Sequence, residues 1–291
     1  MWLTRSGSVP PIGAHENPWS TEGWAAVAER NGVVLRTHGD GVPAYVFSGL
    51  EGSGESCLHL VLPTLTAPPA GRGSIRVVVV DYAEEQHASF DELVATTAAL
   101  IDEHHAGGPA VVWGQSFGTL YATTVVHELA LEVERMVLVS AFRTLPWWKV
   151  WLGPPVLTVT PNFLYRATSG PITKWQFGPA GGNTTHPFWD SLDRLPKSDL
   201  ARRSRWLRGR SFAPAFEAQR PRRGKVWLGS RDNLVNRKAE TEFFRGLAER
   251  GPFEFAVLEG SGHVVLPPPV IEEARRQLAA WFWTDEEEAQ R

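Results

Sequence analysis

Three side chains far apart in the chain carry the chemistry of an assisted nucleophile. Ser116 lies in Gly114-Gln115-Ser116-Phe117-Gly118, directly after the apolar run Ala110 to Trp113. A serine hydroxyl is a poor nucleophile at neutral pH. It needs a base to take its proton and an acid to orient that base. His263, in Glu259-Gly260-Ser261-Gly262-His263, and Asp232, in Gly229-Ser230-Arg231-Asp232-Asn233, are of the right types. Together they could drive attack on an acyl carbon.

The segments around them suggest how they could meet. Small residues on both sides of Ser116 let the backbone turn tightly between a strand-like run and a helix-like segment, Thr119 to Leu129. Asp232 follows the apolar run Lys225 to Leu228, and His263 follows Phe253 to Leu258. Both therefore fall in loops beyond a strand's carboxyl end, where open parallel sheets gather their sites. The 31 positions separating them accommodate a helix, Ala239 to Arg250, and a strand.

Elsewhere the pattern alternates. Val33 to Arg36, Ala44 to Phe47, Ile75 to Val80 and Met136 to Val139 read as strands, and Ser89 to His104 and Val270 to Trp283 as helices. Such alternation predicts a mostly parallel sheet with helices on both faces. Glu22 to Arg30 reads as a short helix. Leu58 to Leu62 reads as a strand entered from the turn Glu51-Gly52-Ser53-Gly54. With no helix expected after it, that Gly-x-Gly is not a dinucleotide loop.

The Gly-x-Ser-x-Gly turn, the chain order serine, aspartate, histidine, and the loop placement of each resemble the α/β-hydrolase superfamily, from about Val42 to Trp283. The resemblance implies the α/β-hydrolase fold, with residues 1–142 and 211–291 as its core and 143–210 as an inserted cap. It implies a serine hydrolase in which Ser116 attacks a carbonyl, His263 moves the proton and Asp232 orients the imidazole. The substrate would be a carboxylic ester, lactone or thioester. Relatives that act as dehalogenases or epoxide hydrolases carry Asp where this chain has Ser116. Lyases, cyclases and ligand receptors share the fold and stay open as alternatives.

The resemblance also implies two donors for the oxyanion. One is the backbone N–H of Phe117. The other belongs to the loop after the expected strand Leu58 to Leu62, where many members carry His-Gly. This chain reads Leu62-Pro63-Thr64-Leu65 there. Pro63 has no N–H, so Leu65 is the expected donor by position, with Thr64 next to it.

The stretch 143–210 holds six of the chain's 13 tryptophans. Trp147 and Trp148 come soonest after a strand end and are expected to line a pocket for a bulky apolar or aromatic acyl group. Between Arg194 and Lys225 eleven basic residues stand against Asp199 and Glu217, a local excess of +9. The plain reading is a solvated face; the sharper one is docking of an acidic carrier protein or a phosphate-bearing acyl donor, which would make the protein a thioesterase or acyltransferase.

A formal charge of −3 argues against nucleic-acid binding. Cys57 stands alone, which excludes an internal disulfide and fits a reducing compartment. No secretory leader or membrane-spanning run is evident, so the expected location is the cytoplasm. His104 and His105 diverge on a helix end, and no zinc motif occurs; neither metal nor organic cofactor is expected.

Overall fold

The branched run Ile75 to Val80 lies inside one eight-stranded sheet, with Val77 to Val80 buried on both faces. The computed structural model describes residues 20–66, 68, 73–161, 195–263 and 268–284. The strands are β1 (Ala25–Arg30), β2 (Val33–His38), β3 (Val42–Phe47), β4 (Ile75–Asp81), β5 (Ala110–Gln115), β6 (Val133–Val139), β7 (Arg223–Gly229) and β8 (Phe253–Leu258). Their order is β1-β2-β4-β3-β5-β6-β7-β8. β2 runs antiparallel to both neighbours, and every pairing from β4 to β8 is parallel. Phe47 pairs with Gly114, Gln115 with Val139, and Gly229 with Leu258, so these carboxyl ends share one rim.

The helices are α1 (Glu55–Leu65), α2 (Phe90–His104), α3 (Phe117–Leu129), α4 (Trp147–Val159), α5 (Lys197–Arg205), α6 (Ala213–Glu217), α7 (Arg237–Arg250) and α8 (Pro268–Trp283). One hydrophobic cluster joins α2, α3, α6 and α7 to one face of the sheet. A second joins α1 and α8 to the other. Ser89 caps α2 by accepting from the Glu92 N–H, which fixes where that helix starts.

Two expected elements change type. Residues 25–30 form β1, not a helix, because Asn31-Gly32 takes up positive φ at both positions and turns the chain into a hairpin with β2. Residues 58–62 lie inside α1, not in a strand. Cys57, Leu58, Leu60, Val61 and Leu65 are all buried, so nearly the whole circumference of α1 is covered and the helical period disappears from the sequence. A helix therefore does open after Gly52-Ser53-Gly54. A Cβ on Gly54 would stand 2.0 Å from the Val79 side chain, so this glycine serves close helix–sheet packing. Glu51 and Glu55 flank the turn, which is the wrong charge for a phosphate.

The segment between β6 and β7 leaves the sheet at Arg143 and returns at Phe212, whose N–H donates to the Arg143 carbonyl at 3.0 Å. It contributes α4 and α5, and its Val150, Trp206 and Leu207 join the larger cluster. Trp175 and Trp189 lie outside the described residues.

Candidate active site

Ser116 occupies the corner between β5 and α3 with φ 55° and ψ −124°, a region L-residues avoid. The turn closes because its flanks are bare. A Cβ on Gly118 would fall 2.1 Å from the Phe47 carbonyl oxygen and 2.4 Å from that of Ser48. Both obstacles are backbone, so Gly118→Ala must push the loop after β3 off the serine turn. The expected cost is about 1–3 kcal/mol or more, read as a lower urea midpoint.

The other two loops are laced together. Arg231 N–H donates to the Ser261 carbonyl at 2.8 Å and Gly260 N–H to Ser230 Oγ at 2.9 Å. Within this frame Ser116 Oγ lies 2.7 Å from His263 Nε2. His263 Nδ1 lies 2.6 Å from Asp232 Oδ2. The Leu234 N–H donates to the remaining oxygen, Asp232 Oδ1, at 2.8 Å. With Asp232 ionised, Nδ1 holds the ring proton and donates it to Asp232, leaving Nε2 to accept from the serine hydroxyl. Ser116, Asp232 and His263 are 7 %, 4 % and 1 % exposed, so little water competes for these bonds. Gly229 keeps the loops close: a Cβ there would stand 1.9 Å from the Gly262 carbonyl oxygen.

One further group touches the acid's loop. Lys149 on α4 donates through Nζ to the carbonyls of Asn233, at 2.5 Å, and Leu234, at 2.9 Å. Burial holds its ammonium below the ordinary lysine range, and Asp232 pulls in the other direction.

The alpha/beta hydrolase family matches the chain over residues 34–281, from β2 to α8. The chain belongs to the α/β-hydrolase family. Solved structures of the α/β-hydrolase fold superpose on most of it. An esterase from Exiguobacterium antarcticum is 14 % identical, with a TM-score of 0.68 over 90 % of this chain and 98 % of that one. A bromoperoxidase from Bacillus anthracis is 17 % identical, at 0.66 over 87 % and 95 %. The enol-lactonase from Burkholderia xenovorans is 15 % identical, at 0.65 over 87 % and 96 %. At such identities the likeness carries the fold alone. No curated protein matches the sequence.

Against this α/β-hydrolase frame, the expected oxyanion residues divide. Phe117 is the first residue of α3, beside Ser116, with its N–H in the helix's first turn. Leu65 is displaced: it is the last residue of α1, fully buried within the cluster beneath the sheet, and Thr64 is in the same helix. The loop that does run against the serine turn follows β3 and reads Ser48-Gly49-Leu50. It contains the glycine that seemed to be missing. The visible signal was a small-residue pair directly after the run Ala44 to Phe47.

Trp147 and Trp148 are 69 % and 42 % exposed, and Lys149 Nζ sits over the Trp148 ring at 5.1 Å. The ring of Phe142 lies 5.9 Å from that of His263. The basic stretch is largely engaged with the protein itself. Arg202 and Arg203 pair with Glu85, Arg210 with Asp91, and Arg223 and Lys225 with Glu254, while Arg208 donates to the Val150 carbonyl. Cys57 is buried, and burial pushes its thiol up, away from the thiolate form. Among the described residues no three His, Cys, Asp or Glu side chains gather as a metal site would need, and no helix is long and apolar enough to cross a membrane.

Proposed function

We propose that this protein is a serine hydrolase acting on a carboxylic ester, lactone or thioester through an acyl-enzyme. The observation that carries the reading is the unbroken relay from Ser116 Oγ through the His263 ring to Asp232, with the serine on a strained turn. Ser116 attacks the carbonyl as His263 takes its proton. The collapsing intermediate receives that proton on its leaving group, and water repeats the cycle to free the acid.

The oxyanion is received by the N–H of Phe117 and, in place of Leu65, by that of Leu50. The N–H of Gly49 is already donated to the Glu51 carboxylate at 3.1 Å, which leaves Leu50 as the donor this loop can offer. Esters and enol lactones are the first compounds to try, since an esterase and an enol-lactonase share the fold.

A panel of p-nitrophenyl esters, lactones and acyl thioesters, with a fluorophosphonate label and Ser116→Ala as control, tests the reading. A labelled Ser116 and turnover that vanishes in the variant support it. Turnover that survives Ser116→Ala moves the protein to the lyase or cyclase alternative. Docking of an acidic carrier protein is a separate proposal with weaker support, because the arginines that prompted it have internal partners. It requires turnover of a carrier-bound thioester that falls steeply with salt while turnover of a free ester does not.

A further inference from the structure

An oxyanion donor works only if its peptide plane is held at the correct angle before the substrate arrives. The Leu50 N–H and the Gly49 carbonyl belong to one peptide group, in a loop outside any strand or helix. Within the turn the Gly52 N–H donates to the Gly49 carbonyl at 3.0 Å, and a side chain supplies a second donor to the same oxygen.

Tyr82, just past the end of β4, is fully buried and donates its hydroxyl to the Gly49 carbonyl, with the Ser48 carbonyl oxygen 3.1 Å away. Its backbone N–H donates to the Gly52 carbonyl at 2.8 Å, so the residue grips both sides of the turn. Burial raises the phenol well above its ordinary range, which keeps the hydroxyl protonated and donating. A bond accepted by the Gly49 carbonyl also polarises its amide and strengthens the Leu50 N–H on the far side.

Tyr82 is itself clamped from α5. Arg203 is fully buried; its Nη1 donates to the Leu50 carbonyl at 2.8 Å and its Nη2 to the carbonyls of Tyr82 and Ala83 at 2.8 Å each. Nε donates to Glu85 at 3.0 Å, and the guanidinium lies 5.3 Å from the centre of the Tyr82 ring. The ring of Tyr82 also stands 6.2 Å from that of Phe117, the residue expected to supply the other donor.

We propose that Tyr82 is a positioning residue whose hydroxyl, seated by Arg203, turns the Gly49–Leu50 peptide so that the Leu50 N–H meets the acyl oxygen. The inference rests on the serine-hydrolase reading above. If Tyr82 served only as core packing, a phenylalanine would do as well.

Tyr82→Phe in the full chain keeps the ring and removes the hydroxyl. Losing a whole oxyanion donor costs on the order of 100- to 1,000-fold in kcat, so loosening one is expected to cost about 10-fold or more. KM for a p-nitrophenyl ester should stay within about two-fold, since a ground-state carbonyl asks little of the donor. Affinity for phenylboronic acid, which forms an anionic tetrahedral adduct on serine, should fall in step with kcat. Unchanged kcat and unchanged boronate affinity overturn the inference, whether or not the melting temperature moves. If Tyr82→Phe does not fold, Arg203→Lys replaces it: the charge beside Glu85 remains, but one ammonium cannot reproduce the fork to Leu50 and Tyr82, and the same kcat-against-KM split is expected.

The two readings fail differently. Fluorophosphonate labelling of Ser116 together with indifference to Tyr82→Phe removes only the positioning role. Absence of labelling and turnover in the wild type removes the hydrolase reading and this inference with it.

Discussion

Ser116→Ala is expected to lower kcat for any ester substrate by about a million-fold while leaving KM and the melting temperature close to wild type. In the proposed mechanism the hydroxyl is the attacking atom, and its hydrogen bond to His263 is lost with it. Alanine occupies no more space than serine and takes the same backbone position. His263→Ala should cost about as much, and the double variant little more than either alone, because the two side chains act as a unit. Steady-state rates with p-nitrophenyl acetate, the variants purified away from host esterases, provide the measurement. A Ser116→Ala protein that keeps more than about one percent of wild-type turnover is incompatible with the million-fold expectation for a lost nucleophile.

Arg203→Met is expected to be the most damaging single change to stability, at about 3–5 kcal/mol. The guanidinium and Glu85 are both fully buried and 3.0 Å apart, and the same group satisfies the carbonyls of Leu50, Tyr82 and Ala83. Methionine fills much of the volume but leaves a buried carboxylate facing fewer donors; Arg202, at 2.9 Å from Glu85, offsets part of that loss. Domains of ordinary stability have about 5–15 kcal/mol in total, so the variant should unfold at much lower urea. Pairing it with Glu85→Leu should restore part of the loss, since the stranded charge is the main penalty. A urea midpoint for Arg203→Met within experimental error of wild type would contradict this account.

The relay was legible because each member follows an apolar run. Ser116 lies between glycines and Asp232 and His263 come after strands whose branched or aromatic residues could hardly be anything else. The loop after β3 was not legible, because it depended on recognising α1. Residues 57–65 are apolar on almost every side, so they carry neither a period of two nor one of 3.6, and a strand there shifted the expected donor to Leu65. The hairpin of β1 was signalled by Asn31-Gly32, a pair that the helical reading of Glu22 to Arg30 left out. Charge counting overstated the basic stretch for a different reason. The partners of Arg202 and Arg203 lie more than 115 positions away, at Glu85, and several others are backbone carbonyls that no count of side chains includes. Composition could place tryptophans at 147 and 148 but could not say which way a helix would face them.

The excursion between β6 and β7 starts and finishes at adjacent backbone, with Phe212 bonded to Arg143. With its ends that close, a different segment could connect the same two points. Arg203 makes the exchange conditional. Any transplanted segment lacking an arginine at that spot would leave Glu85 and three main-chain oxygens short of donors inside the host. A grafted segment must therefore bring that cation with it, or the host must give up the Glu85 charge it was answering.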